Sequence, residues 1–258
     1  MGKQQYRNTN YTPISKNESY LLDLIRSEDL LTFGVDEIKA LSDWKKTRIH
    51  NVFSSLEKKG HIIRIKRDRY TLEDRFYDRT LEVVTDAVKP SYISFWTGLS
   101  YHGFTDQQVK MIQLVSTKQY DDLDIEGRKV EISTFKPKRF FGYTEREGII
   151  IAEKEKLFVD SLFMLDKCGG LDEYIKCLKN AVDVLDKNRL IKYLVDFDNK
   201  SLISRMGFLL DFFDLVDDQI LNRLKKNSST TYILLDPNGG PVITHNSGWK
   251  IKINKKLV

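Results

Sequence analysis

A cluster of basic side chains marks one part of this sequence. From Lys45 to Arg69, nine residues are basic and two are acidic, which gives the stretch a net charge of +7. Positive charge at this density binds polyanions by releasing their counterions. The candidate ligands are therefore nucleic acid or an anionic membrane surface. A solvated charged face is the alternative that needs no ligand.

The residues around this cluster predict three short helices followed by a hairpin. Apolar residues at helical spacing predict helices over 19–26 and 35–41, and a third helix that ends at Gly60, with Ser42 or Asp43 as its cap. Alternating apolar residues on both sides of the charged segment 66–69 then predict the hairpin. A winged helix-turn-helix has this order of elements. It favours duplex DNA as the ligand.

The third helix carries the candidate DNA-reading residues on the side opposite to its apolar stripe. At 100° per residue, that side presents Trp44, Thr47, Arg48, Asn51, Ser55 and Lys58. Arg48 can donate two hydrogen bonds to guanine, Asn51 can pair with adenine, and Trp44 either stacks on DNA or packs against the second helix. Basic residues in the first turn and at the hairpin tip are predicted to contact phosphates: Lys45, Lys46, Lys66, Arg67 and Arg69.

The rest of the chain predicts a larger mixed domain. A connecting helix is expected over 78–88, followed by strands over 110–116 and 129–135 and a hairpin from 139–143 and 148–152. Helices are expected from about 153 to 226. Two further strands are expected over 232–235 and 249–253, with His245 in a loop between them. The fold class is therefore expected to be α+β. An N-terminal winged helix-turn-helix over 1–75 precedes a mixed α/β domain with a helical subdomain over 76–258.

Motifs for catalysis are scarce. The residues Asp211, Asp214, Asp217 and Asp218 could hold a divalent cation, but a solvated acidic face is the favoured interpretation. No phosphate-binding loop, GxSxG, HExxH or CxxC pattern accompanies them. We expect no enzyme activity, no catalytic residue, no metal and no cofactor. The rival hypothesis is a nucleic-acid-processing enzyme that uses the winged helix for docking.

The cysteines and the apolar runs bear on location. Cys168 and Cys177 have neither zinc-site nor redox-motif spacing, which favours a reduced chain. No apolar run approaches the roughly 18 residues that a transmembrane helix needs, and the polar N-terminus lacks the apolar core of a signal peptide. We expect a cytoplasmic protein with no membrane partner.

Short motifs occur in a characteristic order over most of residues 20–254. The main ones are KKTRI (45–49), LEKKG (56–60), IRIKRDRY (63–70), GLSYHG (98–103), AEKEK (152–156), RMGFLL (205–210) and GWKIKIN (248–254). In this order they resemble the AbiEi family of antitoxins and transcriptional regulators, from type IV toxin-antitoxin (abortive-infection) systems. The sequence departs from the family pattern at Asp68, where a glycine is usual.

The resemblance implies a winged helix that binds inverted repeats in its own promoter and a C-terminal antitoxin domain. The toxin of such systems is a nucleotidyltransferase, and the antitoxin need not form a stable complex with it. Many relatives are orphan regulators without a toxin. We therefore expect a sequence-specific, autoregulating transcriptional repressor that binds a duplex operator as a monomer or dimer. An antitoxin role is expected in addition.

Overall fold

The computed structural model describes residues 13–257. These residues form two compact units. One unit comprises residues 13–88 with 125–127, and the other comprises 89–124 with 128–257. The chain mixes helices and sheets, consistent with the predicted α+β class. The division after Val88 differs from the predicted boundary between 75 and 76. Residues 73–87 form helices that contact both strands of the preceding hairpin, so they belong to the first unit.

The first unit consists of three helices, an antiparallel hairpin and two further helices. Their bounds are α1 Lys16–Ser27, α2 Val35–Leu41, α3 Lys46–Lys58, β1 Ile62–Lys66, β2 Arg69–Leu72, α4 Glu73–Asp78 and α5 Thr80–Ala87. The predicted order of three helices and a hairpin is confirmed, although α1 begins three residues earlier than expected. Apolar residues of α1, α2 and α3 form one buried core with Phe33, Ile62 and Leu72.

A six-stranded sheet forms one part of the second unit. Its order is β5-β6-β4-β3-β8-β7, and it mixes parallel and antiparallel neighbours. The strands are β3 Ser91–Ile93, β4 Ile112–Ser116, β5 Leu123–Ile125, β6 Arg128–Thr134, β7 Tyr143–Arg146 and β8 Ile149–Ala152. The predicted hairpin exists, but its first strand is 143–146 rather than 139–143, because Pro137–Arg139 form a 3₁₀ turn.

Helices and a small second sheet complete this unit. The helices are α6 Phe95–Tyr101, α7 Lys154–Phe163, α8 Gly170–Ala181, α9 Lys187–Asp196, α10 Lys200–Phe212 and α11 Asp218–Lys225. The expected helical region from about 153 to 226 is confirmed. The sheet is built from β9 Ile233–Leu234, β10 Thr244–Asn246 and β11 Ile251–Ile253. His245 therefore lies in a strand and not in the predicted loop.

A charged pair lies inside the second unit. Lys156 and Asp160, one turn apart on α7, form a salt bridge although both side chains are fully buried. The Asp160 carboxylate also accepts hydrogen bonds from Tyr92 (3.0 Å) and Ser94 (2.9 Å). Burial lowers the pKa of Lys156 and raises the pKa of Asp160.

Within residues 13–257, no helix has both the length and the apolar character needed to span a bilayer.

Candidate nucleic-acid interface

Helix α3 separates apolar from polar residues along its length. Its buried stripe is the predicted one and consists of Ile49, Val52, Phe53 and Leu56. Because these positions repeat at helical spacing, the opposite side of the helix faces away from the core. Five predicted DNA-contacting residues near its start are exposed: Lys45, Lys46, Thr47, Arg48 and Asn51.

The beginning of α3 differs from the prediction. Lys45 occupies the N-cap position and its side chain makes no capping hydrogen bond. Ser42, which was expected to cap α3, instead donates its hydroxyl to the carbonyl of Ile38 (2.7 Å) at the end of α2. The first N–H groups of α3 therefore lack a side-chain cap at the end of the helix where Lys45 and Thr47 are exposed.

An open groove of about 450 Å³ lies between the start of α1 and the exposed side of α3. Its lining residues are Ser15, Asn17, Glu18, Lys45, Thr47, Arg48, Asn51, Val52 and Ser55. Five of the predicted DNA-contacting residues thus share one concave surface. Ammonium, guanidinium, amide and hydroxyl groups are the groups with which proteins contact phosphates and base edges.

One wall of this groove contains a buried carboxylate, Glu18. It accepts hydrogen bonds from Ser55 Oγ (2.6 Å), Lys59 Nζ (2.8 Å) and the backbone N–H of Ser15 (2.6 Å). Burial alone would raise the pKa of Glu18, but the hydrogen bonds from Lys59, Ser55 and Ser15 outweigh it and lower the pKa to about 2. The Ser55 hydroxyl hydrogen is therefore already donated within the protein.

Arg48 is held by two neighbours at the edge of the groove. Its Nη2 donates to the side-chain oxygen of Asn17 on α1 (2.5 Å). Its guanidinium carbon lies 4.0 Å from the ring centroid of Trp44, and the Trp44 ring in turn lies 5.3 Å from the ring of Tyr20. Trp44 is half-buried and packs against the core of the first unit, so it does not present a free ring face.

The first turn of α2 forms ion pairs with two of the predicted phosphate contacts. Lys46 pairs with Asp36 (2.7 Å) and Arg69 pairs with Glu37 (2.7 Å). The hydrogen bond and the charge of Asp36 raise the pKa of Lys46, and the pKa of Asp36 is lowered by the same contact. Lys46 and Arg69 are therefore partly neutralised within the protein.

The turn of the hairpin is fixed to the same end of α2. Asp68 has a φ of 52°, in the left-handed region, and its carboxylate accepts the backbone N–H of Val35 (3.1 Å). A Cβ atom on Gly34 would lie 2.5 Å from the backbone oxygen of Asp68, so a larger residue would push the turn away. Asp68 thus keeps the turn tight although a left-handed φ is unfavourable for most residues other than glycine.

The remaining predicted residues differ in exposure. Arg67 at the hairpin tip and Lys58 near the end of α3 are exposed, whereas Lys66 is half-buried. Within residues 13–257, Arg67, Lys58 and Lys45 take part in no ion pair. The hydrogen-bond partner of Arg48, Asn17, is neutral, so a bonded carboxylate offsets none of these four charges within the described residues.

Residues at the start of α1 were not predicted to belong to this surface. Ser15 and Glu18 form a capping box, in which each side chain bonds the other residue's backbone N–H. The pattern Ser-x-x-Glu is a recognisable signal for a helix start, and it places α1 at Lys16. That signal could have located Asn17 and Glu18 on the first turn of the helix, but not their contacts with α3.

The acidic residues that the enzyme hypothesis needs have local roles in the structure. Asp211 accepts a hydrogen bond from the Trp249 ring nitrogen (2.6 Å), and Asp217 caps α11 by accepting the N–H of Ile220 (2.9 Å). Asp214 is a turn residue with a φ of 52°. Among residues 13–257, no three His, Cys, Asp or Glu side chains converge so as to hold a metal ion.

Comparison with known proteins bears on the fold alone. No protein-family model matches the chain, and no curated protein matches it. A crystal structure of RV2827C protein from Mycobacterium tuberculosis is similar, with a TM-score of 0.64 and 11% sequence identity. The similarity covers 93% of this chain and 92% of that chain. The two proteins therefore share a fold over almost their full lengths.

Proposed function

We propose that the first unit is a winged helix-turn-helix that binds duplex DNA in a sequence-specific manner. Helix α3 is the reading helix and the β1–β2 hairpin is the wing. The observation that carries the proposal is the groove beside α3, where Lys45, Thr47, Arg48 and Asn51 share one exposed surface opposite the buried stripe. The width of the major groove admits one α-helix.

The arrangement of backbone elements supports this proposal. Phe33, just before α2, pairs with Tyr70 on β2 through two backbone hydrogen bonds of 2.8 Å. The segment before α2 is thereby joined to the hairpin, and α2 is joined to α3 by the short connection 42–45. A helix held in this way presents its N-terminal residues to the bases, as recognition helices do.

The cations divide into two proposed roles. Arg48 and Asn51 read base edges, while Lys45 and Arg67 contact phosphates and contribute affinity without sequence information. One winged helix reads a half-site, so we propose an inverted-repeat operator occupied by two molecules or a dimer. Lys46 and Arg69 are ion-paired and Ser55 is bonded to Glu18, so these three residues contribute less to DNA binding than their positions in the sequence predict.

The biological role that this activity supports is repression of transcription, including that of the chain's own promoter. The order of AbiEi-like motifs along both units is the support for an additional antitoxin role. If the neighbouring gene encodes a nucleotidyltransferase, its expression alone should arrest growth and co-expression of the full chain should restore growth. Arrest that the full chain does not relieve would reject the antitoxin role while leaving DNA binding intact.

The test of DNA binding uses the full chain and a pool of random duplexes. Repeated rounds of binding and amplification should enrich an inverted-repeat motif. With the selected duplex, Arg48→Ala should flatten the base preference at one position of each half-site. Arg67→Ala should weaken binding to all duplexes alike and reduce the slope of log K against log[salt] by roughly one phosphate contact, about 0.9.

Lys129→Ala, which removes an exposed lysine from β6 in the second unit, is the matched control and should change neither quantity. Failure to enrich any motif, or equal effects of Arg48→Ala and Lys129→Ala, would reject the proposal.

A further inference from the structure

We infer that Asn17 and Trp44 are positioning residues for sequence readout, and that they hold the Arg48 guanidinium ready to bind a guanine. The inference rests on the proposed DNA binding and deepens it, because it makes α1 part of the specificity of the site. It assigns the read base as guanine from the donor geometry of a fixed guanidinium.

Two neighbouring side chains hold Arg48 in place. An exposed arginine samples many rotamers, and ordering it on DNA costs conformational entropy. Here the side chain is already fixed at two points, by the hydrogen bond to Asn17 and by the Trp44 ring beneath its plane. Ordering this side chain on DNA therefore costs less conformational entropy. A larger part of the free energy of the hydrogen bonds between Arg48 and the correct base then contributes to binding.

The hydrogen bond to Asn17 leaves most N–H donors of Arg48 available. A guanidinium has five N–H donors, and the bond to Asn17 uses one of them. The remaining four include a complete two-donor edge. Guanine presents two acceptors, O6 and N7, side by side in the major groove, and a planar two-donor edge matches them. Adenine presents a donor beside N7, so a fixed two-donor edge discriminates against it.

Trp44 is itself held in place by its neighbours. Its ring is packed against the core of the first unit on one side and contacts the ring of Tyr20 on α1. Because these contacts hold Trp44 in place, its ring provides a rigid surface for the Arg48 guanidinium. Asn17 and Tyr20 both lie on α1, so this helix contributes one hydrogen bond to Arg48 directly and one aromatic contact through Trp44.

The experiment measures how strongly binding depends on the guanine N7 atom. Wild-type full chain first selects its duplex from a random pool. Each guanine of the selected half-site is then replaced by 7-deazaguanine, which lacks the N7 acceptor, and affinities are measured by fluorescence anisotropy. At one guanine the wild type should lose about 10- to 150-fold in affinity, the range for one hydrogen bond from a charged donor, because the O6 acceptor remains. Arg48→Ala should bind both duplexes equally.

Asn17→Leu is the decisive variant, because it keeps the size of the side chain and removes the acceptor. It should reduce the discrimination between guanine and 7-deazaguanine by about 2- to 10-fold. In the Arg48→Ala background, Asn17→Leu should have no further effect on this discrimination. Asn17→Asp keeps an acceptor and should retain the discrimination, while its added negative charge weakens binding to all duplexes.

Trp44→Phe retains a ring and should retain more discrimination than Trp44→Leu. Because Trp44 also packs on the core, thermal unfolding of each variant is measured in parallel and the conclusion rests on Asn17→Leu. Discrimination that is unchanged or increased in Asn17→Leu would overturn the inference while leaving DNA binding intact. Selection that enriches no motif would instead reject the proposed function.

Discussion

Two groups of charged side chains, one in each unit, have opposite roles. In the first unit, Lys45, Arg48 and Arg67 lie at the surface, and the nearby ion pairs of Lys46 and Arg69 remain partly exposed. In the second unit, Lys156 and Asp160 are fully buried and are satisfied by each other, by Tyr92 and by Ser94. The surface cations can exchange water for a ligand, whereas the buried pair has no access to solvent.

This contrast has an energetic basis. Transferring a charge from water to a protein interior costs several kcal/mol, which only good geometry and further hydrogen bonds can offset. The Lys156 ammonium lies 5.0–5.3 Å from the ring centroids of Tyr92, Phe135, Phe141 and Phe197, in addition to its polar contacts. Changes to the buried pair should therefore affect folding, and changes to the surface cations should affect binding.

Removal of one buried partner should have the largest effect. Lys156→Met leaves Asp160 without its counter-charge, and we expect the free energy of unfolding of the second unit to fall by about 3–5 kcal/mol. The measurement is urea unfolding of the full chain in a Trp44→Phe background. In that background Trp96 and Trp249, both in the second unit, report its unfolding.

The chain contains a matched control for this experiment. Lys192 and Asp196 have the same spacing on α9, but their side chains are exposed, so Lys192→Met should cost at most about 0.5 kcal/mol. The double change Lys156→Met and Asp160→Leu should recover most of the stability that Lys156→Met loses. Equal losses for Lys156→Met and Lys192→Met would contradict the contrast between buried and surface charge.

Close packing around Gly207 on α10 should produce the next largest effect on the second unit. A Cβ atom at this position would lie 2.1 Å from the Trp249 ring, and Trp249 is fixed by its hydrogen bond to Asp211. Gly207→Ala should therefore reduce the unfolding free energy of the second unit by about 1–3 kcal/mol. Gly240→Ala, where no atom lies within 4 Å, is the control and should stay within about 0.5 kcal/mol of the wild type. A Gly207→Ala variant as stable as Gly240→Ala would show that the Trp249 ring can move aside.

Local periodicity was sufficient to predict the order of the main elements. The helices and the hairpin of the first unit follow from apolar residues at 3.6- and 2-residue spacing, because one side of each element must be buried. The same reasoning missed β3, β5 and β10, which have three residues each and are too short to show a period. Strand β10 exists because it pairs with β11, and no local signal encodes such a contact.

Pairing between distant side chains could not be predicted. Ser55 lies on the exposed side of α3 by periodicity, but its hydroxyl bonds Glu18, 37 residues earlier. Lys156 and Asp160 look in sequence like an ordinary surface pair on a helix, since their burial depends on elements that surround α7. Sequence alone can therefore locate a charged helix face. It does not tell which of its charges are already used within the fold.

Lowering the pH should destabilise the first unit, because it protonates the buried carboxylate of Glu18. Glu18 has a folded-state pKa of about 2, below its ordinary value of 4.5. A lowered folded-state pKa means that the stabilisation is complete above pH 4.5 and is lost as the pH falls towards 2. We expect this loss to be about 2–3 kcal/mol for the first unit between pH 7 and pH 2.5. Urea unfolding of wild type and Glu18→Gln is compared between pH 7 and pH 2.5.

The difference between the two proteins should shrink as the pH falls, because protonation makes the wild type resemble the variant. Glu28→Gln, at the exposed end of α1, is the control and should track the wild type at every pH. A constant difference between wild type and Glu18→Gln down to pH 2.5 would contradict the assigned role of the carboxylate charge.

The smallest effect on folding, with a measurable effect on binding, is expected for Asp36→Asn. The Lys46–Asp36 pair is exposed, so its loss should leave the unfolding free energy unchanged within the error of a urea titration. Lys46 would then be released for a phosphate, which should raise duplex affinity and steepen the slope of log K against log[salt] by about 0.9. Asp43→Asn removes the same charge from an exposed residue of the α2–α3 connection and should leave the slope unchanged. Weaker DNA binding by Asp36→Asn would instead mean that Asp36 holds Lys46 in position for contact with DNA. The Lys46–Asp36 pair would then be part of the binding site.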